Sequence, residues 1–441
     1  YYPPQPSYRN LVKDKCPKFY QKLHDKSGDL CVVITGTSLT QGNLYATDRA
    51  DATTRPPLLH TNDLASRVYD SLIEYWHGQQ HRRYDHTDLT YSAGSWQVIN
   101  RLQDASGNDV WDDFDYRKNG LTKTTIAPNA SVSTKIPSGA WQFNFIYRTD
   151  SQGGNCTVVI AEGNGKVEVW NGSAWLEANG YVFSMLESAV TATKGNTCYQ
   201  KRLKMRCKNR ATNGFDSTTT DKTITIVKAN DASRFNVVGF EWSPREYMFT
   251  FINGARGSHA WGLSGSPSSL ENYQDSDVWE FNPDLILCEV TAINWGAAFG
   301  EALFVDKDRY VNIAKKAYFD DLGVQPNSIF NKSDGYTKCE VVFYGDIVGT
   351  LGDFDKLWDA NKQPKFGAVT VPQWNGTGAT EPVGTVKTVF ENYEAVEKFV
   401  ASKPYIFIPT VYQFKKLADD FYGNYVDAFA ASGKGGQTLS Y

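Results

Sequence analysis

Long apolar segments are missing from this sequence. Its 441 residues hold no uninterrupted apolar run of about 18 residues, the length that a membrane-spanning helix needs, so we expect no membrane span. Cysteine is scarce, at seven residues without a CxxC pair, which argues against a disulfide scaffold and a zinc site. The charges do not form long blocks of one sign and the formal net charge is −4, which argues against a nucleic acid partner.

Towards both ends of the chain, apolar strand-like runs alternate with helical periodicity. A helix is predicted over 62–76, because Val68, Leu72 and Trp76 repeat every four residues. Strands are predicted at 31–34, 247–252, 285–290, 341–344 and 405–408. This alternation predicts an α/β fold with a parallel sheet and helices on both faces.

The middle of the chain lacks the helical period. Short β-rich runs are separated by turn signals, which is typical of a β-sandwich or jelly roll. The predicted strands are 131–136, 141–147, 157–161, 166–170, 199–207 and 222–228. We therefore expect a first α/β part over 1–100, an inserted β-sandwich over 101–235 and a second α/β part over 236–441.

Three of the predicted strands lead into residues that a hydrolase could use. Ser38, Gly257 and Asn294 follow the first, second and third α/β strands along the chain. Because open α/β sheets bind ligands beyond the carboxyl ends of their strands, we expect the three residues to share a cleft. Ser38 would be the nucleophile, and the backbone N–H groups of Ser38 and Gly257 with the Asn294 carboxamide would hold an oxyanion. The alternative is that Ser38 only caps the next helix.

These segments resemble the SGNH (GDSL-type) hydrolase superfamily. The similar blocks are Gly36-Thr-Ser-Leu39, Asn253-Gly-Ala-Arg-Gly257 and the stretch from Pro283 to Asn294. The resemblance implies a three-layer α/β/α sandwich of flavodoxin-like type, interrupted here by the all-β insert. It also implies a serine esterase that uses no cofactor and no metal, and that often removes acetyl groups from carbohydrate.

The general base of such an esterase is missing from the sequence. The family's Asp-x-x-His block has no counterpart, and no histidine follows His259. We expect this block after Tyr441 in a longer parent protein. The alternatives are a degenerate site without a base, or His259 as a substitute base. His259 could also contact substrate or cap a helix.

Aromatic and basic residues in the middle region suggest a glycan surface. Trp170 and Trp175 flank a short turn, and exposed aromatic faces suit sugar rings. Strand alternation over 199–210 places four basic side chains on one face, opposite Lys201, Leu203, Met205 and Cys207. The four are Arg202, Lys204, Arg206 and Lys208. This row could hold an anionic polysaccharide, or it could be a solvated sheet face.

The sequence thus predicts a serine esterase that removes O-acetyl groups from a polysaccharide through an acyl-enzyme intermediate. The alternative is an inactive glycan-binding or structural module with the same fold. Either function suits a bacteriophage tail or spike component, or an exported bacterial protein. We expect a glycan partner, and assembly into a homo-oligomer or a virion is compatible with this reading.

Overall fold

The structure is a computed structural model. It describes residues 8–36, 68–69, 71–72, 75–76, 83–84, 89–99, 102–103, 109–110, 122–161, 165–187, 199–209, 221–255, 277–290, 339–345, 368–374, 380–387 and 405–408.

Most of the described elements are strands. Two α-helices come first, α1 (Tyr8–Lys15) and α2 (Pro17–Asp25), and a short 3-10 helix spans Trp279–Phe281. The strands are β1 (Leu30–Thr35), β2 (Arg83–Tyr84), β3 (Thr90–Tyr91), β4 (Gln97–Ile99), β5 (Leu102–Gln103), β6 (Asp109–Val110), β7 (Thr122–Thr125), β8 (Ser131–Ile136), β9 (Gln142–Thr149), β10 (Asn155–Ala161), β11 (Gly165–Trp170), β12 (Trp175–Glu177), β13 (Val182–Ser184), β14 (Tyr199–Asn209), β15 (Lys222–Lys228), β16 (Phe235–Ser243), β17 (Phe249–Asn253), β18 (Leu285–Val290), β19 (Glu340–Gly345), β20 (Ala368–Trp374), β21 (Thr380–Lys387) and β22 (Tyr405–Ile408). Within the described ranges, no helix is long and apolar enough to cross a membrane.

Five strands form a parallel sheet in the order β17-β1-β18-β19-β22. Strand β1 lies between β17 and β18, with Ile34 opposite both Asn253 and Leu287. Its residues are almost all buried, as expected of a strand that has neighbours on both sides and is covered on its faces. The strands predicted at 31–34, 285–290 and 405–408 are therefore confirmed.

Helices cover one face of this parallel sheet. Phe19 of α2 and Trp76 pack with Leu30, Val32 and Ile34 in one apolar cluster. The described residues between 68 and 76 are helical, and Val68, Tyr69 and Leu72 pack against the same cluster. The apolar stripe predicted for the 62–76 helix is thus confirmed at the positions that the structure describes.

Two antiparallel sheets form a β-sandwich. One has five strands in the order β13-β10-β15-β8-β3, and the other has β12-β11-β14-β9-β16-β7-β4, with β2 paired to β16. Between the sheets lies an aromatic core in which Phe145 contacts Tyr147, Phe183 and Phe240. Alternation along the strands sends every second residue into this core, which is the pattern of packed sheets.

The longer sheet of the sandwich is also covered on part of its outer face. Every residue of β9 and β16 is buried, so these central strands have protein on both sides. Asp29, which precedes β1, supplies part of the contact. Its carboxylate accepts hydrogen bonds from the Met248 N–H at 2.9 Å and from Gln142 Nε2 at 3.3 Å, and it pairs with Lys204.

The expected fold class, a three-layer α/β/α sandwich of flavodoxin-like type with a jelly-roll insert, is wrong. In the described part of the chain, helices pack on one face of the parallel sheet only. Most of the described residues are in strands, and the antiparallel sandwich holds the larger apolar cluster. Short alternating strands have one apolar face each, and the two antiparallel sheets remove these faces from water by packing on each other.

The domain boundaries stay predictions. Strands of the two antiparallel sheets lie between Arg83 and Ser243, and those of the parallel sheet lie before and after them. Helical periodicity in the sequence also predicts helices over 297–322, 393–402 and 412–421, and these lie outside the described residues.

The Asp29 contacts predict a large stability effect for a single substitution. Asp29→Ala leaves the Met248 N–H, Gln142 and Lys204 without their acceptor, so we expect the free energy of unfolding to fall by about 1–3 kcal/mol. Asp25→Ala is the control, because the described partner of Asp25 is the exposed neighbour His24, and its effect should stay within about 0.5 kcal/mol. Equal effects of the two variants in urea unfolding would contradict the described contacts.

Candidate functional site

The residues predicted for ester hydrolysis lie outside the described residues. This holds for Ser38, Gly257, His259 and Asn294. The structure does describe the three strands that precede them, since β1 pairs in parallel with both β17 and β18. The carboxyl ends of these strands therefore meet at one edge of the sheet, as the sequence predicted.

The backbone is tightly packed where β17 ends at this edge. The Gly254 N–H donates to the Ile34 carbonyl oxygen at 2.7 Å, and the Ala255 N–H donates to Asn253 Oδ1 at 3.1 Å. A Cβ on Gly254 would lie 2.7 Å from the Asp277 carbonyl oxygen, so only glycine fits there without a shift. The side chains of Thr35, Asn253 and Glu289 are buried nearby along their strands.

Burial makes four of the described thiols poor nucleophiles. Desolvation by burial raises the pKa of Cys16, Cys31 and Cys156 to about 12, and it raises the pKa of Cys339 as well. A thiol with such a pKa is protonated near neutral pH, and the thiolate is the reactive form.

A second candidate site lies on the outer face of the longer sandwich sheet, at the edge formed by β11 and β12. We call it the tryptophan patch and define it by six side chains. They are Lys166, Glu168, Trp170, Trp175, Glu177 and Arg206. Unlike β9 and β16, the edge strands leave side chains of this face open to solvent, since Trp170 and Glu177 are both exposed.

A rigid hairpin holds the two tryptophans together. Trp170 ends β11 and lies opposite Trp175 at the start of β12, with ring centroids 5.4 Å apart and planes 55° apart. In the turn, Asn171 Oδ1 accepts hydrogen bonds from the backbone N–H groups of Ser173 and Ala174. Gly172 has φ +100°, a left-handed value that favours glycine. Because the turn is fixed by its own side chain, the tryptophan pair is preorganised.

Charges next to the tryptophan pair centre on Glu168. This largely buried carboxylate accepts from Arg206 Nε at 2.8 Å, and Lys166 Nζ and Lys208 Nζ lie 3.6 and 3.7 Å from its oxygens. The Arg206 guanidinium also lies 4.1 Å from the centroid of the Trp175 ring, within the range of a cation–π interaction.

The basic row of β14 is divided by these contacts. Arg202 pairs with Glu241 at 2.8 Å and lies over the Phe281 ring, and Lys204 pairs with Asp29. Arg202 therefore belongs to the contact between the sandwich and the parallel-sheet part. Lys204 belongs to both regions, because its Nζ also lies 5.6 Å from the centroid of the Trp175 ring. Arg206 and Lys208 lie at the other end of the row, beside the tryptophan patch.

The sequence analysis did not identify Glu168 as a residue of this site. The signal was present, because the alternation of β11 places Lys166, Glu168 and Trp170 on one face. What the sequence did not show was that β11 pairs with β14, which sets Glu168 opposite Arg206.

Comparisons with known proteins find similar solved structures only. No family model matches the sequence, and no curated protein matches it. One similar structure is a family 6 carbohydrate-binding module from Clostridium stercorarium in complex with cellobiose. It is 13% identical, has a TM-score of 0.20, and the match covers 37% of this chain and 92% of that one.

Two other similar structures are also carbohydrate-binding modules. A family 35 module from Clostridium thermocellum is 9% identical with a TM-score of 0.22, over 37% of this chain and 98% of that one. A family 36 module in complex with calcium and xylotriose is 11% identical with a TM-score of 0.20, over 37% of this chain and 100% of that one. Likenesses of this strength carry no argument about function.

The resemblance to the SGNH (GDSL-type) hydrolases is wrong. The described residues are mostly in β-strands, which does not fit a three-layer α/β/α sandwich. The described residues form a β-sandwich beside a parallel sheet, so the SGNH and GDSL family names do not apply to this fold. Each of the three short blocks fits any apolar strand that is followed by small or polar residues, which explains why they misled.

The charge arrangement of the tryptophan patch predicts a difference between its two glutamates. Glu168→Gln removes the carboxylate shared by Arg206, Lys166 and Lys208, so we expect the free energy of unfolding to fall by about 1–3 kcal/mol. Glu177→Gln is the matched control, because Glu177 is exposed and, among the described residues, pairs only with Lys166, at 3.6 Å. Its effect in urea unfolding should stay below about 1 kcal/mol. If Glu177→Gln lowers the free energy of unfolding as much as Glu168→Gln does, the described charge arrangement of the patch is wrong.

Proposed function

We propose that this protein binds carbohydrate through the tryptophan patch. The observation that carries the proposal is the pair of Trp170 and Trp175, held 5.4 Å apart by a rigid hairpin at an open edge of the sheet. Sugar rings have apolar C–H faces that pack on aromatic rings, and tryptophan offers a large contact area with little conformational entropy to lose.

Polar groups beside the rings suit the hydroxyl groups of a sugar. Lys166 Nζ lies 3.6 Å from both Glu168 Oε1 and Glu177 Oε2, so donors and acceptors alternate along one side of the pair. An apolar platform with a few fixed polar groups is the usual composition of a small-ligand site. The proposal rests on this geometry and not on the similar solved structures, whose TM-scores are near 0.2.

Removal of either tryptophan should weaken glycan binding. We expect Trp170→Ala and Trp175→Ala to bind about 10- to 30-fold more weakly, as for an aromatic side chain at the centre of a binding surface. The measurement is affinity electrophoresis of the full chain against a panel of neutral and acidic polysaccharides.

Leu176→Ala is the matched control for these variants. Leu176 is also exposed and follows Trp175 on β12, but alternation directs its side chain to the opposite face of the sheet. Its affinity should be unchanged. If wild-type protein binds no polysaccharide of the panel, or if Leu176→Ala weakens binding as much as the tryptophan variants, the proposal is wrong.

Ester hydrolysis at Ser38 stays a prediction. The one described feature that favours it is that β1, β17 and β18 are neighbours and end at the same sheet edge. Location outside a cell or on a virion, and assembly into a homo-oligomer, also stay predictions.

A serine nucleophile can be tested directly. Ser38→Ala should reduce turnover of p-nitrophenyl acetate by about a thousandfold or more, because the attacking hydroxyl is lost. Ser95→Ala is the control, since Ser95 is exposed on the sandwich. Equal turnover by both variants and the wild type would show that Ser38 is not a nucleophile.

A further inference from the structure

We propose that Asn171 and Gly172 form a self-modification site in the hairpin of the tryptophan patch. At this site the Asn171 side chain cyclises onto the Gly172 backbone nitrogen, and water then opens the ring. The structure describes three Asn-Gly pairs in full, at 171–172, 179–180 and 253–254. These pairs differ in the hydrogen bond that the glycine nitrogen makes, and this nitrogen is the atom that must react.

The reaction uses the glycine nitrogen as a nucleophile. A solvent base removes the proton of the Gly172 N–H, and the nitrogen attacks Asn171 Cγ to form a C–N bond. The Cγ–Nδ2 bond then breaks, and Nδ2 takes up a proton and leaves as ammonia. One water molecule hydrolyses the resulting succinimide at either of its carbonyl groups. The products are aspartate or isoaspartate at position 171, with the N–H of Gly172 restored.

The Gly172 nitrogen is open to this reaction. Gly172 is exposed, and none of the described residues accepts a hydrogen bond from its N–H. A Cβ built on Gly172 would meet no atom within 4 Å, so solvent reaches this part of the turn. Its φ of +100° is a value that glycine adopts without strain.

The Asn171 side chain is held beside this nitrogen. Its Oδ1 accepts hydrogen bonds from the Ser173 N–H at 2.9 Å, the Ala174 N–H at 2.8 Å and Ser173 Oγ at 3.0 Å. Because Oδ1 reaches the second and third N–H groups along the chain, the side chain folds back over the peptide of Gly172. Negative charge develops on Oδ1 when the nitrogen attacks Cγ, and the three donors already directed at Oδ1 stabilise it.

The glycine nitrogens of the other two pairs are hydrogen-bonded. The Gly180 N–H donates to the Val158 carbonyl oxygen at 2.8 Å, although Gly180 is exposed and has a φ of +82°. The Gly254 N–H donates to the Ile34 carbonyl oxygen at 2.7 Å. Each nitrogen must lose a backbone hydrogen bond before it can attack, so we expect both to react more slowly than that of Gly172.

Modification of Asn171 changes the turn that holds the tryptophan pair. Isoaspartate lengthens the main chain by one carbon atom and shortens the side chain, so its carboxylate cannot keep the same turn between Trp170 and Trp175. Aspartate has the ordinary main chain and retains an Oδ1 acceptor for the same N–H groups. We therefore expect the isoaspartate form to lose the fixed arrangement of the two rings, and the aspartate form to keep it.

Peptide mapping by mass spectrometry, after incubation of the full chain in alkaline buffer, measures the reaction. Asn171 should convert about tenfold or more faster than Asn179 and Asn253, because the neighbouring nitrogens of those two are hydrogen-bonded. In concentrated urea the three residues should convert at similar rates, since glycine follows each of them. Similar rates in the folded protein would overturn the proposal, as would a preference for Asn171 that persists in urea.

Circular dichroism measures the effect on the ring pair. The separated isoaspartate form should lose the coupled signal of Trp170 and Trp175, which Trp170→Phe identifies. The matched control is Asn171→Asp, which has the ordinary main chain and should keep the signal. An isoaspartate form that keeps the whole signal overturns the inferred effect on the tryptophan patch.

The effect on glycan binding rests on the proposed function. The isoaspartate form should bind about 10- to 30-fold more weakly than the unmodified protein, as for the loss of a tryptophan, and Asn171→Asp should bind normally. Equal affinity of the isoaspartate and unmodified forms overturns this effect and leaves glycan binding intact. Unmodified protein that binds no polysaccharide overturns the proposed function, and the modification site is then still judged by mass spectrometry.

Discussion

The alternation of side chains along β14 is the constraint on which the sandwich and its candidate site both depend. Leu203, Met205 and Cys207 are buried in the core between the two sheets. The basic residues that alternate with them along β14 therefore point to the outer face of the sheet. A basic side chain that is largely buried needs an acidic partner, because the free energy lost with its hydration is otherwise not recovered. The partners are carboxylates from other parts of the chain.

These partners divide the outer face into two regions. Asp29, from the segment before β1, and Glu241 of β16 neutralise Lys204 and Arg202 where the parallel-sheet part covers the sandwich. Glu168 of β11 pairs with Arg206 near the edge of the sheet that β11 and β12 form. One row of basic residues thus serves the contact between two parts of the fold at one end and an open aromatic surface at the other.

The sequence was sufficient for the local structure. The strands at 131–136 and 222–228 were predicted with the observed bounds, because alternation and turn residues are local signals. The faces of β14 were predicted for the same reason. The fold class was not, because it depends on which strands pair. Strand β1 lies between β17 and β18, both more than 200 residues further along the chain.

The candidate site was predictable only in part. The turn between Trp170 and Trp175 was visible as a pair of aromatic residues around Asn171 and Gly172. The division of the basic row was not visible, because Asp29 and Glu168 reach it through long-range pairing. The sequence predicted a row that is either glycan-binding or solvated. The structure refines this prediction, since all four basic side chains are largely buried and each pairs with a carboxylate of the same chain.

The most direct test of the tryptophan patch is NMR of the twelve indole N–H signals during titration with the tightest-binding polysaccharide. Signals are assigned by single Trp→Phe variants. Our account predicts that the indole signals of Trp170 and Trp175 shift together with one saturating profile, because both rings contact the same ligand. Shifts that are absent from both, or that occur only at tryptophans of the sandwich core such as Trp242, would contradict it.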